Sequence, residues 1–206
     1  MKIIKSGANM WFDKQKAETI KKMLSDDRSK KGSVDEDIKY LVDSFNSHDN
    51  FYTTSSCSGR IMLLKKQGES KKCECEWLFC THSPIQYKDI SKLLDTLPSE
   101  TIYFRMESPI IHLCARDLSS AEYLLKSANN AGLRRCAVIA LGKRIIIEIS
   151  PLDRIDVPVA ENSRLLVDKV YIDYLIDRAN RLLIKTRKKM KRLYKELFSD
   201  QHCDQH

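Results

Sequence analysis

No stretch of this chain approaches the run of about 20 apolar residues that a bilayer crossing demands. The opening MKIIKSGANMWF also lacks the apolar core of a secretory signal. Both absences make the cytoplasm the expected compartment, or the nucleus reached by way of it. Nothing recurs at the periods of solenoids or propellers. No GxGxxG follows a strand pattern, so a dinucleotide-binding Rossmann unit has no local support. GKR (142–144) lacks both the upstream glycine spacing and the Ser/Thr of a P-loop. The seven cysteines (57, 73, 75, 80, 114, 136 and 203) follow no framework spacing, which in a reducing compartment makes them free thiols.

What is present describes a folded, basic protein. The 206 residues are 42% hydrophobic and 31% charged, enough to bury a core and too apolar for a disordered chain. The formal net charge is +8 and the isoelectric point near 9.1, which favours a polyanionic partner, nucleic acid before membrane.

Periodicity predicts a first helix over about 9–26, with Ala17, Ile20 and Leu24 at helical spacing. A second helix is expected over 34–47, opened by a Ser33–Glu36 capping box and buried through Ile38, Leu41, Val42 and Phe45. Strands are expected at 51–54, 60–66, 73–82, 101–106 and 109–116. Helices are expected at 86–96 and at 118–131, the latter presenting Leu118, Ala121, Leu125 and Ala128 and stopping at Gly132. CAVIAL and RIIIEI flank Gly142-Lys143 as a hairpin with a two-residue turn. A last long helix covers 168–198. Strands mixed irregularly with helices imply an α/β protein of the α+β kind, built around one mixed sheet with flanking helices.

The octad TTSSCSGR (53–60) concentrates hydroxyls, a thiol, a glycine and an arginine. One account is a tight polar connection between strands, with Gly59 supplying an unusual dihedral. The other is a ligand nest of backbone N–H groups with Arg60 as a bidentate donor to phosphate or carboxylate. Cys57 and Arg60 are too close for a phosphatase cradle. Asp35 suits the first turn of a helix by the helix dipole, and becomes a general base if it reaches the octad. Cys73, Cys75, Cys80 and His82 have a metal-like spacing, but an extended strand turns the first two away from the last two, so no metal is expected. His112 sits within an apolar strand as a hydrogen-bonded core residue, whereas His82 follows a strand end. KTRKKMKRLYK (185–195) carries seven basic residues and no acid. Leu182, Thr186, Met190, Leu193 and Leu197 form its packing stripe. The remaining face is either solvated or a contact for a phosphate backbone through Lys185, Arg187, Lys188, Lys189, Lys191 and Arg192.

KGSVDEDI (31–38), NFYTTSSCSGRI (50–61), WLFCTH (77–82), SPIIHLCARDL (108–118), LGKR (141–144) and DVPV (156–159) follow in that order. Together they closely resemble the wybutosine-synthesis methyltransferases, which N-methylate the tricyclic base of tRNA-Phe. The octad matches [S/T]-x-S-S-C-x-G-R at every fixed position. The resemblance implies a non-Rossmann α/β fold, a single domain over residues 1–198, and S-adenosylmethionine as methyl donor. It also implies tRNA-Phe as partner, with the acceptor the N4 ring nitrogen of aminocarboxypropyl-demethylwyosine beside the anticodon. It groups Asp35 and a histidine, His82 or His112, with Ser55, Ser56 and Cys57 of the octad. Thr53, Ser56, Gly59 and Arg60 are then expected to meet the donor. Cys57 serves packing or positioning, since no covalent intermediate is required. An unpaired base next to the anticodon calls for aromatic stacking, for which Trp11, Phe51 and Trp77 are available. The tail 199–206 has no counterpart and is expected to be disordered. Two other classes fit the residues less well: a non-catalytic tRNA-binding module using the basic helix and the octad, and a Cys57-based hydrolase.

Overall fold

The computed structural model describes residues 7–25, 34–66 and 75–198. Ser33, Cys73, Cys203 and the tail 199–206 lie outside the described residues. In chain order the elements are α1 (Gly7–Ser25), α2 (Glu36–Ser47), β1 (Phe51–Cys57), β2 (Arg60–Lys66), β3 (Cys75–Thr81), α3 (Tyr87–Leu94), β4 (Thr101–Glu107), β5 (Ile110–Ala115), α4 (Leu118–Asn130), β6 (Arg135–Leu141), β7 (Ile145–Ser150), β8 (Ile155–Glu161), β9 (Arg164–Leu165) and α5 (Lys169–Phe198). The α/β class, the non-Rossmann topology and the long last helix agree with expectation. The single mixed sheet does not: among the described residues the strands form two sheets in which every pairing is antiparallel.

The chain divides into two compact units. The first combines the residues up to Ser58 with Ile110–Leu152 and the end of α5 from Lys188. Its sheet has the order β1-β5-β7-β6. One face is covered by α2, α4 and the end of α5, whose apolar residues merge with Phe51, Ile111, Leu113, Ile147 and Ile149 into one cluster. On α2 the buried set is Ile38, Leu41, Val42 and Phe45, each worth about 1.5–3 kcal/mol of transfer free energy as an upper estimate. Phe12 of α1 packs with Tyr52 and Cys114 in a smaller cluster. Among its described side chains α1 buries Phe12, whereas Ala17 remains exposed. On α4 the buried positions are Ser120, Ala121, Leu124, Ser127 and Ala128, and Leu118 is turned to solvent. Leu118 occupies the first position after the N-cap Asp117, whose side chain accepts the N–H of Ser120 at 2.7 Å. Three residues, 142–144, join β6 to β7, one more than the two-residue turn expected.

The second unit comprises Gly59–Pro109 and Asp153–Arg187. Its sheet has the order β3-β2-β4-β8-β9. The inward face of β2 and β4 packs against α3 and the first part of α5 through Ile61, Leu63, Phe104, Ile90, Leu175 and Leu183. Strand β8 contains Pro158, placed opposite Tyr103 with a register irregularity between Ile102 and Tyr103. A proline cannot donate to the ladder, which is why the DVPV segment does not read as an interior strand. Leu182, Thr186, Met190, Leu193 and Leu197 are all buried, as the stripe on the last helix requires.

Candidate active site

The octad is mostly strand. β1 runs on through Cys57 and β2 begins at Arg60, so only Ser58 and Gly59 connect them. The hydroxyls therefore stand on a pleated surface, where alternate side chains take opposite faces. A bulge between Thr53 and Ser55 breaks that alternation once.

In the first unit, Thr53 is fully buried. Its N–H and hydroxyl both donate to Asn46 Oδ1, at 2.8 and 3.0 Å. The Thr53 side chain thereby ties β1 to α2. Past the bulge, exposed Ser55 lies 2.7 Å from His112 Nδ1 through its Oγ. His112 Nε2 is in turn 3.0 Å from Glu148 Oε2. Thr54, the extra residue of the bulge, donates its hydroxyl to the His112 carbonyl at 3.3 Å. Ser56 and Cys57 are half-buried at the end of β1. A carboxylate oxygen of Asp35 lies within 4.8 Å of Cys57 Sγ. Asp35 is the N-cap residue of α2 but does not cap that helix with its side chain. Instead Oδ2 accepts the backbone N–H of Ser58 at 2.8 Å. The approach of Asp35 to the octad is thus present, and the bond is of the charge-assisted kind, worth about 1.5–3 kcal/mol. Cys114, between His112 and the end of β5, has its thiol pushed upward by burial, so it packs as a neutral group.

In the second unit, Gly59 has φ +82°, and a Cβ there would lie 2.8 Å from the Glu107 carbonyl oxygen and 2.9–3.0 Å from Leu183 and Pro109. The protein's own packing demands the glycine; close ligand approach is not needed to explain it. The Gly59 carbonyl is 2.8 Å from His82 Nδ1. The two histidines that the sequence leaves as alternatives are therefore both bonded to the octad, His112 at Ser55 and His82 at Gly59. Arg60 donates through Nε to Glu107 at 2.8 Å, and its guanidinium carbon lies 4.8 Å from the centroid of Trp77. Beside it Arg105 forks onto Asp156 at 2.8 and 3.0 Å, which also receives Arg154. Cys75 and Cys80 are five residues apart on β3, about 17 Å along a strand, and do not share one ion.

On α5, Lys188, Lys191 and Arg192 are exposed and Lys189 half-buried. Lys185 is paired with Asp153 at 2.9 Å. Arg187 is half-buried, and its guanidinium donates to the His82 carbonyl. Of the aromatic candidates, Phe51 is a core residue against Phe45 and His48 and offers no stacking face. Trp77 is 53% and Trp11 40% exposed. Glu148, Asn46 and Glu107 were not legible as site residues. The only signal for Glu148 is a lone acid inside the apolar run RIIIEI, and its partner is known only once the strands are paired.

These features define an α/β protein of non-Rossmann topology. The chain belongs to the family described as Methyltransferase TYW3, whose model matches residues 14–199. It is 35% identical over 191 residues to the tRNA(Phe) 7-((3-amino-3-carboxypropyl)-4-demethylwyosine(37)-N(4))-methyltransferase of Archaeoglobus fulgidus, covering 92% of this chain and 95% of that protein. A protein of the same name, numbered 1, from Thermococcus kodakarensis is 33% identical, with 90% and 93% covered. Among solved structures, that of the PH1069 protein from Pyrococcus horikoshii superposes with a TM-score of 0.84 at 30% identity, covering 91% of this chain and 96% of the other. Among the described residues, no helix is long and apolar enough to cross a membrane.

Proposed function

We propose that this chain transfers a methyl group from S-adenosylmethionine to the N4 ring nitrogen of 7-aminocarboxypropyl-4-demethylwyosine, beside the anticodon of tRNA-Phe. Membership of a methyltransferase family supports the reaction class, and the names of the relatives support the acceptor. The observation that carries the placement is the octad itself, held by Asp35 at Ser58 and bonded by a histidine at Ser55 and another at Gly59.

S-adenosylmethionine, when bound, supplies an electrophilic methyl on a sulfonium and presents a carboxylate. The residues here fit such a group: Arg60 is a guanidinium held in place by Glu107, and Ser56 adds a half-buried hydroxyl. Arg60 then takes a carboxylate or an RNA phosphate by paired N–H donors. The protein's remaining tasks are orientation and removal of one proton. Holding acceptor and methyl in near-attack geometry is worth as much as about 7–11 kcal/mol. Asp35 and the two histidines are the groups able to accept or orient the proton, a role worth roughly 10²–10⁴-fold. Trp77 and Trp11 offer aromatic surface to an unpaired base. Lys185, Lys188, Lys189, Lys191 and Arg192 hold phosphates without reading sequence. Such work belongs where tRNA is matured and used, the cytoplasm.

The test is mass spectrometry of the modified base in tRNA-Phe from cells lacking the protein. The demethyl precursor accumulates, and re-expression of the wild-type chain, but not of Asp35→Ala, restores the methylated base. A normal base in the deleted cells would refute the assignment.

A further inference from the structure

His112 is held at both ring nitrogens, and the pairing of three strands decides by what. β1, β5 and β7 are neighbours in one sheet. The register places Ser55 opposite His112 and His112 opposite Glu148. Without the bulge at Thr54, that residue would stand opposite His112 and the octad serines would be displaced by one. The bulge brings Ser55 rather than Thr54 opposite His112, a common use of such irregularities. The result is a row of three polar side chains on the face opposite the one that packs Phe51, Ile111, Leu113, Ile147 and Ile149.

The protonation pattern follows from the donor inventory. An ionised carboxylate only accepts, so the proton shared with Glu148 at 3.0 Å belongs to His112 Nε2. In the neutral ring Nδ1 then carries a lone pair, and Ser55 at 2.7 Å must donate to it. The opposite tautomer would set a lone pair of Nε2 against the carboxylate. His112 and Glu148 keep 27% and 28% of their side-chain surface accessible, and Ser55 is exposed. The row is therefore open to solvent at its hydroxyl end.

We propose that Ser55, His112 and Glu148 form a proton relay for methyl transfer, in which Glu148 is a positioning residue that fixes the tautomer of His112. This rests on the function proposed above. As the methyl–sulfonium bond breaks, leaving a neutral thioether, and the methyl carbon bonds to the acceptor nitrogen, that nitrogen loses its proton to Ser55 Oγ while the Ser55 proton passes to His112 Nδ1. The imidazolium so formed bears one N–H toward Ser55 and one toward Glu148, whose carboxylate balances the charge. Release of the Nδ1 proton to water returns the row to its resting state. A base oriented by a third group through its second nitrogen is an arrangement used repeatedly for activating weak acids.

The relay is tested in the free protein by nitrogen NMR of histidine-labelled material, with the His112 signals assigned by their loss in His112→Asn. The expected spectrum has a protonated Nε2 and a bare Nδ1. Ser55→Ala retains that tautomer because Glu148 remains, whereas Glu148→Ala loses it and populates both forms. In turnover on tRNA-Phe from cells lacking the protein, Glu148→Ala lowers kcat on the order of 10–100-fold, part of the roughly 10²–10⁴ a positioned base contributes. Its KM for tRNA stays within about twofold of wild type on that basis, because the contact is made to a catalytic group. Glu148→Asp recovers part of the rate. A wild-type ring protonated on Nδ1, or a Glu148→Ala enzyme with wild-type kcat, overturns the relay. A wild-type protein that never methylates this tRNA overturns the parent assignment instead, and leaves the tautomer to be read from the spectra.

Discussion

Two glycines of this chain share a backbone conformation and differ in what surrounds them, so one pair of substitutions separates strain from packing. Gly59 has φ +82° and Gly132 has φ +83°. An alanine at either position adopts a left-handed conformation costing roughly 1–2 kcal/mol, part of which is offset by about 0.4–1 kcal/mol from a stiffer unfolded chain. At Gly132 nothing lies nearer to the new Cβ than Arg192 Nη2 at 3.8 Å, and Gly132→Ala should therefore cost about 1 kcal/mol. At Gly59 the Cβ meets a backbone carbonyl oxygen at 2.8 Å and the Pro109 ring at 3.0 Å, neither of which is a flexible side-chain end. Overpacking of that kind adds about 1–3 kcal/mol, bringing Gly59→Ala to about 2–4 kcal/mol. Urea denaturation of both variants against wild type measures the totals. Hydrogen exchange assigns them, with protection lost in β2 and β4 for Gly59→Ala and in α4 and β6 for Gly132→Ala. Equal losses in the two variants would refute the packing argument and return Gly59 to the role of a ligand-facing glycine.

Asp117→Ala removes the N-cap of α4 and should cost about 1 kcal/mol at neutral pH. The Ser120 backbone N–H, with further bonds from Ser120 and Ser119, holds the Asp117 carboxyl below its ordinary value. Its stabilisation is therefore complete above the unfolded carboxyl value and is lost as pH falls through the lower folded one. Wild type and variant should converge in thermal melts toward pH 2, and a gap that persists there would refute the cap. Among the described cysteines, brief alkylation at pH 8 followed by peptide mass spectrometry should mark exposed Cys75 first. Cys136, pushed up to about 11 by burial, should react among the slowest. Early labelling of Cys136 would show that β6 opens readily.

Most of the elements were legible in the sequence because their signals are local. Ile38, Leu41, Val42 and Phe45 announce α2 and its buried face at once, and the α5 stripe does the same. The octad was legible as a composition but not as a conformation. Small hydroxyl residues favour turns in isolation, yet pairing with β5 draws Thr53 to Cys57 into a strand. Thr53 and Phe51 illustrate the same limit from the other side: one hydroxyl and one ring of types common in binding sites are buried by α2 and by the first sheet's core.

The sequence by itself determined the class of fold, the helices, the basic surface of the last helix and the octad that marks the family, since each is written in neighbouring residues. Only the tertiary structure decided that the strands split into two antiparallel sheets and that Asp35 holds Ser58. It alone joined one histidine to each half of the octad and brought Glu148 to His112. Those partners lie tens of residues apart along the chain, and one residue of register would exchange every side chain facing them for its neighbour on the opposite face.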